Sequence, residues 1–100
     1  MGTIDSQKQD ILQAISAMRE ELEERYTVRR IGVFGSFARG TADRVSDVDI
    51  VVELGEPTFD HYMDLKFHLE DALNRPVDLV IADTVKPRLK PVIDRETIYA

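Results

Sequence analysis

Three short apolar runs, separated by segments with a helical pattern, constrain the fold of this chain more than any other feature. The runs are Val28–Phe34, Asp47–Leu54 and Val77–Ala82, and each contains the β-branched residues that are enriched in strands. Across Asp5–Arg25 and Phe59–Asn74, apolar residues recur every three or four positions, which predicts two helices. Helices that alternate with strands predict an α/β (α+β) fold, in which helices pack on a small mixed β-sheet.

Shorter elements complete this order. We expect a helical turn at Ser36–Arg39, a short helix at Arg88–Asp94 and a terminal strand at Thr97–Tyr99. The second long helix should bury one stripe of side chains, formed by Phe59, Tyr62, Met63, Leu65, Leu69, Ala72 and Leu73. One hundred residues with no repeat and no linker fit one domain, spanning residues 1–100.

Composition excludes several classes of function. The chain has no cysteine, which rules out disulfides, zinc–thiolate sites and cysteine nucleophiles. It has no apolar run long enough to span a bilayer and no signal-peptide pattern, so we expect a cytoplasmic protein without a membrane partner. The net charge of −6 disfavours direct nucleic-acid binding, because binding to phosphates needs Lys and Arg. The core of so small a domain is modest, which leaves room for oligomerisation.

The segment Gly35–Gly40 stands where the first strand gives way to a helical turn. A glycine there allows a close approach, and the free N–H groups of a helix start suit a phosphate. The hydroxyl of Ser36 could donate a hydrogen bond to a phosphate oxygen. Taken alone, a Gly-Ser pair is more often an ordinary strand-to-helix turn. Arg39 could reach the leaving phosphates, or could equally be a surface residue that pairs with an aspartate.

Asp47 and Asp49 change this balance. In a strand they point to the same face, whereas Val48 and its alternate neighbours point to the core. Two carboxylates one pleat apart repel each other unless a cation lies between them, and Mg²⁺ favours such oxygen ligands. The alternative is a strand edge that simply faces solvent. If their strand neighbours the one that carries Asp78, this third acid can reach the same site; otherwise it is a charge at an exposed strand start.

These residues carry a family resemblance. Gly35–Gly40, followed by Ser46–Val52, resembles the signature of the polymerase-beta-type nucleotidyltransferase superfamily, and the acid in Val77–Val80 also fits. The resemblance covers nearly all of this short chain, which is typical of the minimal nucleotidyltransferases. Prokaryotic members of that group are often MntA-type antitoxins encoded beside a HEPN-domain toxin. The resemblance implies the nucleotidyltransferase fold and the attack of a hydroxyl group on the α-phosphorus of ATP.

The resemblance also implies a role for each matching residue. Gly35 and Ser36 would hold the triphosphate of ATP. Asp47 and Asp49 would coordinate two Mg²⁺ ions, and Asp78 would complete the site beside the acceptor. The implied metal ligands, which are also the implied catalytic residues, are Asp47, Asp49 and Asp78.

The expected function is therefore Mg²⁺-dependent transfer of AMP to a tyrosine hydroxyl of a HEPN-type RNase toxin, which would make this chain an antitoxin. Two alternatives remain: an antitoxin that acts by binding alone, and a nucleotidyltransferase that acts on a small molecule or an RNA end. The basic patch Lys86–Arg95 could steer the triphosphate, dock an acidic partner or be a solvated tail. His61 and His68 are too widely spaced for one metal site, and we expect both at surface or boundary positions.

Overall fold

The fold is known from a computed structural model, which describes residues 4–39, 47–84 and 87–100. The elements in chain order are α1 (Ile4–Tyr26), β1 (Val28–Phe34), α2 (Gly35–Arg39), β2 (Val48–Leu54), α3 (Phe59–Leu73), β3 (Val77–Ile81), a 3₁₀ turn (Ala82–Thr84), α4 (Lys90–Glu96) and β4 (Ile98–Tyr99). This order confirms the predicted mixed sheet with helices packed on it. The last helix begins two residues later than predicted.

The four strands form one mixed sheet in the order β3-β2-β1-β4. Strand β1 is antiparallel to both β2 and β4, whereas β2 and β3 are parallel and are joined through α3. The end of β1 and the starts of β2 and β3 therefore meet at one end of the sheet. The three segments that the sequence analysis singled out all lie at this end.

One face of the sheet packs on α1 and α3 and forms the core. In β2, Val48, Ile50 and Val52 are almost fully buried on this face. The helices contribute their own fully buried residues, which are Ile15, Leu22, Leu65 and Leu69. Of the β2 residues that alternate with the core residues, Asp49 and Glu53 are only half-buried, whereas Val51 between them is buried. The opposite face of the sheet is thus the one that carries the charged side chains.

Helix α3 has clear ends. The hydroxyl of Thr58 accepts a hydrogen bond from the backbone N–H of His61 at 3.1 Å, which caps the start. Asn74 ends the helix in the left-handed conformation, with φ of 55°. Among the described residues, no helix combines the length and the apolarity that crossing a membrane requires.

The predicted buried stripe of α3 is wrong at Phe59 and Ala72, whereas Leu73 packs against the core as predicted. Phe59, in the first turn, is 75% exposed, and Ala72, in the last turn, is also exposed. Leu65 and Leu69, in the middle, are fully buried. Periodicity identifies the side of a helix that faces the core, but it does not tell how far the core extends along the helix axis. The exposed Phe59 lies outside the core and has consequences described below.

Candidate active site

Strand pairing places the second and third acids side by side. Asp49 of β2 is the register partner of Asp78 of β3, and its partner on the other side is Phe34 of β1. Neighbouring strands lie about 4.8 Å apart and register partners point to the same face, so both carboxylates share the face opposite the core. Asp78 is exposed and Asp49 is half-buried. This pairing meets the condition under which the sequence allowed Asp78 to join the site.

Asp47 stands one residue before β2. It is exposed, and the next residue, Val48, is fully buried in the core. The backbone N–H of Val48 donates to the carbonyl of Pro76 at 3.0 Å, which ties the start of β2 to the segment that leads into β3. The same end of the sheet therefore carries all three aspartates.

Gly35 joins β1 to α2 and touches the site directly. Its φ of 71° lies in the left-handed region, which favours glycine. A Cβ at this position would overlap with the carboxylate of Asp49 and would lie 2.9 Å from its Cγ. Both the backbone conformation and the space thus require glycine here. The backbone at the start of α2 lies against Asp49, as a turn that holds a phosphate beside a carboxylate-bound cation would need.

Ser36 and Arg39 follow this glycine in α2. Their side chains lie outside the described part of the structure, so their contacts with a triphosphate stay predictions. The next residue after Ser36, Phe37, is fully buried and anchors α2 to the core. The position of the turn relative to the sheet is therefore set by packing.

Sequence reasoning did not single out Arg75, which the structure places near the same turn. Its guanidinium carbon lies 5.1 Å from the centre of the Phe37 ring, and the side chain is half-buried. A cation over an aromatic face in this range is an attractive contact. The only signal in the sequence was the position of Arg75, three residues before Asp78. It brings a positive charge to the helix that starts at Gly35.

The donor set suits a hard cation in its chemistry. Asp49 and Asp78 offer carboxylate oxygens on one face, and these are the ligands that Mg²⁺ prefers. Within residues 4–39, 47–84 and 87–100, however, no three His, Asp or Glu side chains converge closely enough to form a metal site. The metal role of the three aspartates therefore stays a proposal.

The other candidates lie elsewhere. His68 Nε2 is 3.3 Å from Glu21 Oε1, and its Nδ1 is 3.1 Å from the Tyr26 hydroxyl, in the contact between α1 and α3. His61 Nδ1 is 2.8 Å from the carbonyl oxygen of Glu56. Both histidines are partly exposed, so their predicted boundary positions are confirmed.

Three of the four basic residues of the patch lie in the described part of the structure. Lys86 lies outside the described residues, whereas Arg88, Lys90 and Arg95 are exposed at or near α4. Helix α4 packs against α2, so this patch stands near the glycine turn. Its role stays open.

Comparison with known proteins assigns the family. The family described as "Nucleotidyltransferase domain" matches residues 15–100, a span that includes the glycine turn and all three aspartates. Protein adenylyltransferase MntA of Thermococcus cleftensis is 40% identical to this chain over 92 residues, which cover 91% of this chain and 93% of that protein. The chain belongs to the nucleotidyltransferase family.

Two solved toxin–antitoxin structures contain chains that share the fold of this one. A crystal structure of a toxin–antitoxin with AMP-PNP contains a chain that is 26% identical to it, with a TM-score of 0.69 over 83% of this chain and 69% of that chain. A chain in the complex of the tri-AMPylated Shewanella oneidensis HEPN toxin with an MNT antitoxin is 20% identical. Its TM-score is 0.66 over 92% of this chain and 70% of that chain, and at this identity the likeness shows the fold alone. The predicted nucleotidyltransferase fold and the predicted enzyme class are confirmed.

Proposed function

We propose that this nucleotidyltransferase is an antitoxin that transfers AMP from Mg²⁺-bound ATP to a tyrosine hydroxyl of a HEPN-type RNase toxin. The observation that carries the proposal is the contact between Gly35 and Asp49, with Asp78 beside Asp49 on the next strand. A glycine turn against paired carboxylates can receive a triphosphate and its counter-ions at one place. The stated residues come from three separate segments of the chain, which the fold brings to one sheet end.

Each residue has a role in this proposal. The backbone at Gly35, together with Ser36 and Arg39, binds the triphosphate, and Asp47 and Asp49 hold Mg²⁺ from the sheet. Asp78 completes the site on the side of β3, which is the edge strand and is open to an acceptor. Mg²⁺, proposed as two ions held by these carboxylates, would neutralise the negative charge that develops on the phosphates.

The reaction is a substitution at phosphorus. The acceptor oxygen forms a bond to the α-phosphorus of ATP, and the bond from that phosphorus to the bridging oxygen of the β-phosphate breaks. Pyrophosphate leaves, and the acceptor hydroxyl gives up its proton. The exposed carboxylate of Asp78 accepts this proton or passes it to water. Alignment of the three groups supplies the largest part of the acceleration.

Two findings support a protein as the acceptor. The relative from Thermococcus cleftensis is named a protein adenylyltransferase, and the match covers nearly the whole length of both chains. In the Shewanella oneidensis complex, the toxin is tri-AMPylated and is bound to an MNT antitoxin. The use of ATP draws support from the toxin–antitoxin neighbour, which was crystallised with AMP-PNP. We place the reaction in the cytoplasm, where ATP and the toxin would meet.

The proposal is tested by intact mass. The HEPN-type protein encoded beside this chain is incubated with it, ATP and Mg²⁺, and we expect a gain of whole AMP units. The Asp47→Asn/Asp49→Asn variant should give no gain, and Asp94→Asn, an exposed aspartate on α4, serves as the matched control. Omission of Mg²⁺ should abolish the gain as well.

Other outcomes would contradict the proposal in distinct ways. Full transfer by the Asp47→Asn/Asp49→Asn variant would remove both aspartates from the site. A stable complex with no mass change would favour an antitoxin that acts by binding alone. A gain on tRNA or another RNA end, and none on the protein, would favour the remaining alternative.

A further inference from the structure

An apolar groove runs along the outer edge of the sheet, beside the start of α3. We call it the β3 groove; it has a volume of about 490 Å³, and its walls include Pro57, Phe59, Tyr62, Val80, Ile81 and Thr84. Phe59 is 75% exposed, the largest exposed fraction of any large hydrophobic side chain among the described residues. An open apolar groove with an exposed aromatic wall is typical of a binding surface.

Side chains of this protein already form hydrogen bonds with the outer backbone edge of β3, which disfavours the addition of another strand there. The hydroxyl of Tyr62 donates to the carbonyl of Leu79 at 2.7 Å, and the hydroxyl of Thr84 donates to the carbonyl of Ile81 at 2.8 Å. The backbone N–H of Val77 donates to Glu70 Oε2 at 3.0 Å. These side chains occupy three of the outward backbone groups that strand addition would use. The groove is therefore suited to side chains of a partner and not to a paired strand.

The groove starts close to Asp78 along β3. Val80, in its wall, is two residues after Asp78 on the same strand and points to the same face, whereas Phe59 and Tyr62 belong to α3 on the other side of the edge. A spacing of two residues corresponds to about 7 Å along a strand. Because β3 is the last strand on that side, a protein that approaches Asp78 across this edge passes over the groove. A side chain that enters the groove would hold such a protein in place.

Exposed acidic residues next to the wall residues in sequence indicate the kind of partner. Asp60 follows Phe59 and Glu56 precedes Pro57, and both are exposed, as is Asp78. The whole chain carries a net charge of −6. A partner segment with an apolar side chain and flanking Lys or Arg residues would match both the apolar wall and these acids, which we call the acidic rim. A protein that binds RNA phosphates has an excess of such basic residues.

We infer that the β3 groove is the docking site for the acceptor protein and that it receives an apolar side chain flanked by basic residues. The inference rests on the proposed function, since the acceptor is the HEPN-type protein assumed there. Phe59 is then a contact for the acceptor, not for ATP. The groove fixes which hydroxyl group of the acceptor reaches Asp78.

The test compares two exposed phenylalanines of the same helix. Phe59→Ala removes the wall of the groove, whereas Phe67→Ala removes a ring that is 57% exposed and lines a different surface, with Arg25 and Asp71. Both changes are made in the Asp47→Asn/Asp49→Asn background, and the dissociation constant for the purified HEPN-type protein is measured by calorimetry. We expect Phe59→Ala to raise it about tenfold or more, as the loss of an aromatic anchor does. Phe67→Ala should leave it within about twofold of the parent.

A second measurement tests the acidic rim and separates the groove from ATP. In the otherwise wild-type chain, Phe59→Ala and Asp60→Lys should each raise the KM for the acceptor and leave the KM for ATP unchanged. An equal effect of Phe59→Ala and Phe67→Ala, or no effect of either, would overturn the inference. A raised KM for ATP would assign the groove to the nucleotide and overturn it too. If transfer is absent but Phe59→Ala still weakens binding selectively, the docking site stands and the proposed function fails.

Discussion

Replacing Gly35 by alanine perturbs the backbone and the site together, and the two costs can be worked out separately. An alanine held at φ of 71° costs about 1–2 kcal/mol relative to glycine. Its Cβ would overlap with the carboxylate of Asp49, which must leave its position at a cost of about 0.5–1.5 kcal/mol. We expect a total loss of about 2 kcal/mol in the free energy of unfolding. For a domain of this size, that lowers Tm by on the order of 10 °C.

The assay is thermal and urea unfolding, followed by circular dichroism, with AMP transfer measured on the same samples. Gly55→Ala is the control: a Cβ there would lie 3.3 Å from Arg29 Nε, the end of a flexible side chain, so its cost should stay below about 0.5 kcal/mol. Transfer by Gly35→Ala should fall by about a hundredfold or more, because Asp49 is displaced.

The cost of the overlap between the new Cβ and the Asp49 carboxylate can be measured separately in an Asp49→Ala background. In Asp49→Ala the carboxylate is gone and only the Cβ of residue 49, 3.2 Å from the new Cβ, remains close, so adding Gly35→Ala should cost little more than the backbone part of about 1–2 kcal/mol. A cost as large as in the wild-type background would show that the carboxylate does not occupy the space above Gly35. A Tm for Gly35→Ala that matches the wild type would refute both parts of the reasoning.

Two further predictions concern the acceptor acid and a helix cap. Asp78→Asn should lower kcat by about a hundredfold or more and leave the dissociation constant for ATP nearly unchanged, because it removes the group that is proposed to receive the proton. Isothermal titration and initial rates check this, and a pure loss of ATP affinity would make Asp78 a nucleotide ligand instead. Thr58→Ala should lower the free energy of unfolding by about 1 kcal/mol, because the N–H of His61 loses its acceptor. Urea unfolding checks the second prediction, and an unchanged midpoint would mean that water replaces the cap at no cost.

The local elements could be predicted from the sequence because their signals are local. Strand β1 was predicted with its observed bounds, since Gly35 ends the apolar run with a conformation that a strand cannot continue. The pairing of Asp49 with Asp78 could not be predicted in the same way. Which strands are neighbours depends on how α3 crosses the sheet, and the sequence only allowed the pairing as a condition. The exposure of Phe59 was missed for a related reason, because a helical stripe does not mark where the core ends.

The roles of Ser36 and Arg39 stay predictions, and they differ in kind from the prediction for Gly35. Glycine is required at position 35 by its own φ and by the Asp49 carboxylate beside it, and both lie in the described part of the structure. A serine or an arginine would act through its side chain, and these two side chains lie outside the described part of the structure. The structure therefore bears on the backbone of the turn, whereas the side-chain contacts with a nucleotide are tested by Ser36→Ala and Arg39→Ala.

In β2, alternate residues have different tasks: Val48 and Ile50 stabilise the core, and Asp49 between them lies in the candidate site. The packing of the core residues therefore also positions the acid. Val48 and Ile50 are fully buried on one face, while Asp49 between them faces the site. A slip of one residue in the register would bury the carboxylate and expose the valine and the isoleucine. The apolar burial that would be lost, about 2 kcal/mol for each side chain, and the cost of a buried charge both oppose such a slip. The core therefore holds Asp49 beside Gly35 and Asp78, so the acid can be exchanged for asparagine without loss of the packing that positions it.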